Sequence, residues 1–145
     1  MARYQHSSDQ KGRIFIPAKL REEIGSAVYV TRALDKGFLA CYTEERFADI
    51  RRQIDELPGT DPMARRLRRA IIGEASRCQL DSQGRISIND ELWSTIGVRP
   101  GETVYLIDMG ESLEICGKTF FDEMEAGQTP ITDLDLSEYH VTGIL

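Results

Sequence analysis

Paired cysteines, paired histidines and long apolar runs are all missing from this sequence, and each absence removes a class of protein. The three cysteines, Cys41, Cys78 and Cys116, are odd in number and show no C-x-x-C spacing. A disulfide framework or a zinc site is therefore not expected, and a reducing cytoplasm is the natural setting. The thiols read instead as small buried hydrophobes on strands. The only histidines, His6 and His140, lie in no Ser or Cys nucleophile motif and in no H-E-x-x-H pattern. An enzyme, a bound metal and a cofactor are accordingly not expected. "CGKT" at residues 116–119 imitates the end of a phosphate loop, but G-x-x-x-x-G-K-[ST] needs glycine where Ser112 stands. No small-molecule ligand is expected from it.

No apolar run approaches the roughly 18 residues of a membrane span, and charged residues make up 29% of the chain. A membrane is not an expected partner. The opening "MARYQHSSDQ" has no apolar segment that would mark export. At 145 residues the chain suits one domain, or two very small ones that lean on each other.

Positive charge is scarce in one half only. Residues 1–85 hold 16 Lys and Arg against 12 Asp and Glu, whereas residues 86–145 hold 2 against 12. The formal charge of −6 thus conceals a basic first part and an acidic remainder, as expected of a basic working face on an otherwise acidic body.

What the chain does contain is a repeat. Residues 9–17 read "DQKGRIFIP" and residues 81–89 read "DSQGRISIN", so D-x-x-G-R-I-x-I is written twice. "RIFI" and "RISI" alternate as strands do. Gly12 and Gly84 supply the positive φ of a tight reversal, and Asp9 and Asp81 can accept its amides. Each copy reads as a hairpin with an arginine, Arg13 or Arg85, leaving its turn. "PAKLREEIG" and "NDELWSTIG" then place Leu20 and Ile24, or Leu92 and Ile96, on one face of a short helix. Pro17 or Asn89 starts that helix and Gly25 or Gly97 stops it. Two further strands, closing at Cys41 or Cys116, complete each copy, and "RPGE" is inserted in the second. Four short strands do not close a core alone, so the copies are expected to complete each other in one pseudo-symmetric body.

Between the copies, Thr43 caps a helix carrying Phe47, Ile50 and Ile54 at helical spacing. Asp61 caps another, with Met63, Leu67, Ala70 and Ile71 on one face and Arg65, Arg66, Arg68 and Arg69 on the other. Those arginines read as a solvated face, as partners for acids of a neighbouring subunit, or as phosphate contacts. A last helix is predicted over residues 119–125, followed by an acidic tail that is either disordered or a strap on a neighbour.

Arg13 and Arg85 have two readings. Each can pair with the aspartate four residues back and simply hold its turn. Arginine's planar fork also matches phosphate or the O6/N7 edge of guanine, and a turn that projects it twice can touch DNA at two related places. Arg3, Lys11, Lys19 and Arg21 could add the sequence-independent phosphate attraction.

The doubled D-x-x-G-R, with "RRLRRAIIGEASRCQLDSQGRISI" leading into the second copy, closely resembles the MraZ family of bacterial transcriptional regulators over Tyr4 to about Glu125. The resemblance implies an α+β fold with a mainly β core, a pseudo-symmetric double AbrB-like swapped-hairpin barrel with flanking helices. It implies repeats at residues 1–57 and 75–126, a linker with the arginine-rich helix at 58–74 and a tail at 127–145. It implies binding of double-stranded DNA at short G-rich direct repeats upstream of the division and cell-wall gene cluster, including the protein's own gene. Such proteins assemble as homo-oligomeric rings, here in the cytoplasm at the nucleoid. Carried onto this chain, Arg13 and Arg85 are the expected DNA contacts, assisted by Lys11, Arg3 and Lys19, and Asp9, Gly12, Asp81 and Gly84 are turn builders. Asn89 stands where the family commonly has proline and Trp93 where it commonly has a basic residue. With Gln83 in place of Lys11 and an acidic second half, Arg13 is the stronger candidate. The alternative is an AbrB-like assembly or antitoxin-type module that binds a protein.

Overall fold

The computed structural model describes residues 3–141. The first two residues of the expected first repeat and the last four of the tail lie outside the described residues. The first copy of the repeat forms β1 (Arg3–Ser7), β2 (Arg13–Phe15), α1 (Ala18–Ile24), β3 (Ala27–Arg32) and β4 (Leu39–Thr43). Two helices follow, α2 (Glu44–Asp55) and α3 (Pro62–Leu67), and α3 widens into a π turn over Arg68–Ile72. The second copy forms β5 (Ser76–Gln79), β6 (Arg85–Ser87), α4 (Asp90–Thr95), β7 (Thr103–Asp108) and β8 (Leu113–Gly117), and α5 (Lys118–Gly127) closes the body.

The predicted helix boundaries have the expected local causes. The Thr43 hydroxyl accepts from the Arg46 amide at 3.0 Å, the Asp61 carboxylate from the Met63 amide at 2.9 Å, and the Asn89 amide oxygen from the Leu92 amide at 2.9 Å. Gly25 and Gly97 leave their helices at φ of 71° and 69°. Leu20, Leu92 and Ile96 face the core as their spacing requires, with Ile24 half-buried beside them.

Strand pairing departs from the expectation. The strands on either side of each D-x-x-G-R turn do not form a hairpin with each other. β1 pairs antiparallel with β7, β5 with β3, and β2 with β6, so each copy gives its opening strand to the other. A six-stranded sheet results, in the order β1-β7-β8-β4-β3-β5, together with a two-stranded ribbon of β2 and β6. The sheet order reads the same from either edge when the copies are exchanged. The expected barrel is not closed: β2 and β6, three residues each, are used up in pairing with one another, and β1 and β5 remain as open edges.

Period-2 alternation sorts the side chains into layers. On one face of the sheet, Val28, Val30, Leu39, Val104, Leu106 and Ile115 meet Ile14, Ile16, Ile86 and Ile88 of the ribbon and Leu20, Leu92 and Trp93 of the short helices. The opposite face is covered by the longer helices. Tyr29 stacks on Phe47 of α2 at 4.4 Å, and Tyr105, Phe38 and Cys116 pack against Phe120 and Phe121 of α5. All three cysteines are free and buried, and burial pushes the thiols of Cys41 and Cys116 up to about 12.

The helix between the copies differs from its predicted face. Met63 is 65% exposed and Ala64 beside it is buried, so the inward face runs through Ala64, the half-buried Leu67 and the buried Ile71 of the π turn, at i, i+3 and i+7, rather than through Met63. The buried Thr31 hydroxyl donates to the Ile71 carbonyl at 2.6 Å and ties this turn to β3. Among the described residues no helix is long and apolar enough to cross a membrane.

Ile86 is fully buried where the ribbon meets the sheet. Ile86→Ala is expected to lower unfolding stability by about 2–5 kcal/mol, read by urea denaturation. A loss under about 1 kcal/mol would mean that the ribbon is not packed as described.

Candidate nucleic-acid interface

The two D-x-x-G-R turns are built alike from one carboxylate each. Asp9 Oδ1 accepts from the amides of Lys11 and Arg13, both at 2.9 Å, and Oδ2 accepts from Arg13 Nε at 2.6 Å. Asp81 does the same with the amides of Gln83 and Arg85, at 2.9 and 3.0 Å, and with Arg85 Nε at 2.8 Å. The backbone N–H of Arg13, aided by its guanidinium and the Lys11 amide, holds the Asp9 carboxyl below the usual carboxylate range despite partial desolvation. The Arg85 and Gln83 groups hold Asp81 down in the same way. Gly12 and Gly84 sit at φ of +73° and +79°, the left-handed region a side chain resists.

Each turn also supports the other copy. Ile88 N donates to the Gly12 carbonyl at 3.1 Å and Ile16 N to the Gly84 carbonyl at 3.0 Å, which extends the ribbon by a rung at either end. The indole N–H of Trp93 adds a buried bond of 3.0 Å to Gly12 O. The residue in the matching place of the first copy, Arg21, donates Nε to Ile16 O at 2.7 Å and lies over Gly84. The departure at Trp93 thus exchanges a cation for a buried clamp.

In the ribbon Ile14 lies opposite Ile86 and points inward, so Arg13, Phe15, Arg85 and Ser87 share the outward face. Arg13 stands across from Ser87 and Phe15 across from Arg85. The two arginines are therefore diagonal neighbours, roughly 7–8 Å apart at the backbone, and form one surface where the sequence suggested two places. Each Asp takes the Nε edge of its arginine, and among the described residues no hydrogen bond engages the Nη end of either fork. Arg85 Nη1 comes within 4.0 Å of Asp9 Oδ2 and its guanidinium lies 5.8 Å from the Phe15 ring. Arg13 is the more accessible of the two, with 29% of its side chain exposed against 18% for Arg85.

Comparison with known proteins decides the family. A family model described as "MraZ protein, putative antitoxin-like" matches residues 1–70. The "Transcriptional regulator MraZ" of Lactiplantibacillus plantarum is 33% identical over 135 residues, 93% of each chain. That of a Thermoanaerobacter species is 32% identical over 139 residues, 96% of this chain and 94% of the relative. The Heliobacterium modesticaldum protein of the same name is 36% identical over 115 residues, 79% of this chain and 78% of its own. The chain belongs to the MraZ family.

Other residues singled out in this MraZ sequence fall in different places. Lys11 is exposed in the first turn and Lys19 is exposed on α1, four residues past Phe15; among the described residues neither is held in an ion pair. Arg3 lies at the far end of β1, about 13 Å of strand before Ser7, with its guanidinium 4.4 Å from the Tyr105 ring centroid. It is not gathered with Arg13 and Arg85. Arg99 was not singled out, yet its turn is pinned beside the first motif. Buried Ser8 donates Oγ to Glu102 O at 3.3 Å and accepts from the Gly101 amide at 3.2 Å, and Gly101 lies against Gln10. The only sequence signal was the inserted "RPGE". Phe15 is 40% exposed on the arginine face, where the sequence shows only a strand residue.

The MraZ turn geometry makes two predictions. A Cβ at Gly12 would meet Ile88 O at 2.9 Å and Trp93 Nε1 at 3.0 Å, whereas one at Gly25 would meet nothing within 4 Å. Both substitutions by alanine suffer the left-handed φ, about 1 kcal/mol, and Gly12→Ala is expected to cost at least about 1 kcal/mol more than Gly25→Ala in chemical denaturation. Equal costs would contradict the close approach. Asp9 and Asp81 have folded-state values below the ordinary 3.8, so their stabilisation is complete above that value and is lost as pH falls through the lowered ones. Acid titration followed by circular dichroism should show a steeper loss of stability for the wild type than for Asp9→Asn with Asp81→Asn, and parallel curves would refute the assignment.

Proposed function

We propose that this chain is a transcriptional regulator that binds double-stranded DNA through the outward face of the β2–β6 ribbon. The observation that carries the reading is the pair of adjacent guanidinium groups, each fixed through Nε by its own aspartate. A B-form major groove admits a two-stranded β-ribbon, and the Nη fork of arginine matches guanine O6 and N7. Arginines aimed at G-rich sequence require such a face, and the aspartates orient them through Nε, with only Arg85 Nη1 drawn near a second carboxylate, that of Asp9. Lys11 and Lys19, with Arg99 beside the first turn, supply phosphate attraction that positions the ribbon without reading sequence. The relatives' shared name supports the regulatory role.

In the finer form of this proposal, the targets are short G-rich direct repeats upstream of the division and cell-wall gene cluster, including the protein's own gene. Several copies of the chain assemble as a homo-oligomeric ring so that individually weak ribbon contacts add. The protein works in the cytoplasm at the nucleoid, as no enzyme and without a cofactor. The reciprocal exchange of opening strands supports reading the fold as a double swapped hairpin.

Arg13→Ala is expected to weaken binding to a duplex of spaced G-rich repeats by about 1–3 kcal/mol, the worth of a good bidentate base contact. Binding to a scrambled duplex should change less, and wild-type affinity should fall with salt. A folded Arg13→Ala protein with unchanged affinity and unchanged discrimination would overturn the assignment of Arg13.

A further inference from the structure

Leu34, at the turn between β3 and β4, is 86% exposed, and Met63 of α3 is 65% exposed. They line one groove together with Arg32, Arg66, Arg69, Ala70 and Glu74, whose carboxylate pairs with Arg32 at 3.5 Å. Of the four clustered arginines, two are engaged within the chain: Arg65 donates to Gly59 O, and Arg68 donates to Ile54 O and lies 3.7 Å from Asp55. Arg66 and Arg69 are exposed at the groove and, among the described residues, join no ion pair. The groove therefore offers apolar area next to uncompensated positive charge.

The end of the chain carries the opposite combination. After α5, residues 128–141 bear Asp133, Asp135 and Glu138 with no Lys or Arg among them. Ile131 is 80% exposed and Tyr139 63% exposed, with Leu134 and Val141 also exposed. Large apolar side chains left in water on both segments gain by covering each other, and the acids of one complement the arginines of the other. In a single copy both segments remain uncovered, and α5 is held on the sheet by Phe120 and Phe121. Fourteen residues can span roughly 46 Å when extended, enough to reach a neighbour.

We propose that the acidic tail of one copy docks in the Leu34–Met63–Arg66–Arg69 groove of a second copy. The proposal rests on the homo-oligomer reading above and deepens it by naming the contact. Because groove and tail are different surfaces, the contact is head-to-tail and propagates from copy to copy until it closes.

The test is light scattering on full-length protein without DNA. Arg66→Glu with Arg69→Glu reverses the groove, and Asp133→Arg with Glu138→Arg reverses the tail; all four positions are exposed, and circular dichroism checks folding. Each variant alone is expected to fall to the 16.4 kDa of one chain. An equimolar mixture is expected to reassemble well above 16.4 kDa, since reversed groove then meets reversed tail and native meets native. Arg66→Ala with Arg69→Ala, which removes charge without reversing it, should show an intermediate loss. Retention of the wild-type mass by either reversed variant would overturn the proposal while leaving the oligomer reading intact. A mixture that stays dispersed would overturn it too, placing the tail in its own copy. A wild type of 16.4 kDa would overturn the oligomer reading itself.

Discussion

Two strands of three residues each join the copies at their centre, and the glycine carbonyls of the two turns set the ends of that joint. Gly12 O takes the Ile88 amide and Gly84 O takes the Ile16 amide, so neither ribbon strand is complete without the other copy's turn. The same reciprocity puts Ile14, Ile16, Ile86 and Ile88 under one sheet built from both copies. A glycine is needed at both turns for its φ, and at Gly12 also because Ile88 O and Trp93 stand too close for a Cβ. Backbone geometry at two residues thus governs the strand pairing, and the pairing in turn places the arginines.

The Arg–Asp pairs within the turns contribute through geometry more than through stability. Partly exposed ion pairs are worth little, and Asp9 and Asp81 spend most of their hydrogen bonds on backbone amides. What the pairs do is fix the azimuth of each guanidinium, so less side-chain freedom remains to be lost on contact. Opposite charges side by side also explain why the ribbon need not be strongly cationic. In the proposed reading, the local arrangement of donors, rather than the formal charge of −6, is what an anionic partner would meet at this face.

Much of this was legible along the chain because it is local. The turns, their glycines and aspartates, and the caps at Thr43, Asp61 and Asn89 follow from residues within four positions of one another. Which strands β1 and β5 would join was not legible in the residues themselves, since a three- to five-residue strand with alternating apolar residues fits several partners equally well. Trp93 could be seen as unusual, but its acceptor is 81 residues away. Arg3 looked close to Arg13 by number, yet a strand carries side chains away along its length, and its stack on Tyr105 depends on pairing with β7. Met63 was misplaced because Ala64, the smaller apolar residue beside it, fits the helical period on the inward face just as well. The pair of arginines on one face belongs to the same class: each was visible, and their adjacency came only with the β2–β6 register.

Placing both copies in one chain changes the kinetics and history of such an exchange. Were the copies separate molecules, the opening strands would swap only as fast as two chains meet, and dilution would pull them apart. Joined by residues 44–75, each finds the other at a fixed local concentration on the order of millimolar whatever the expression level. Folding of the pair then becomes a first-order event. The link also releases the halves from having to be identical, because no half must pair with its own twin. Lys11 against Gln83 and Arg21 against Trp93 are the visible result: two ends of one ribbon, free to diverge and thereby able to distinguish left from right.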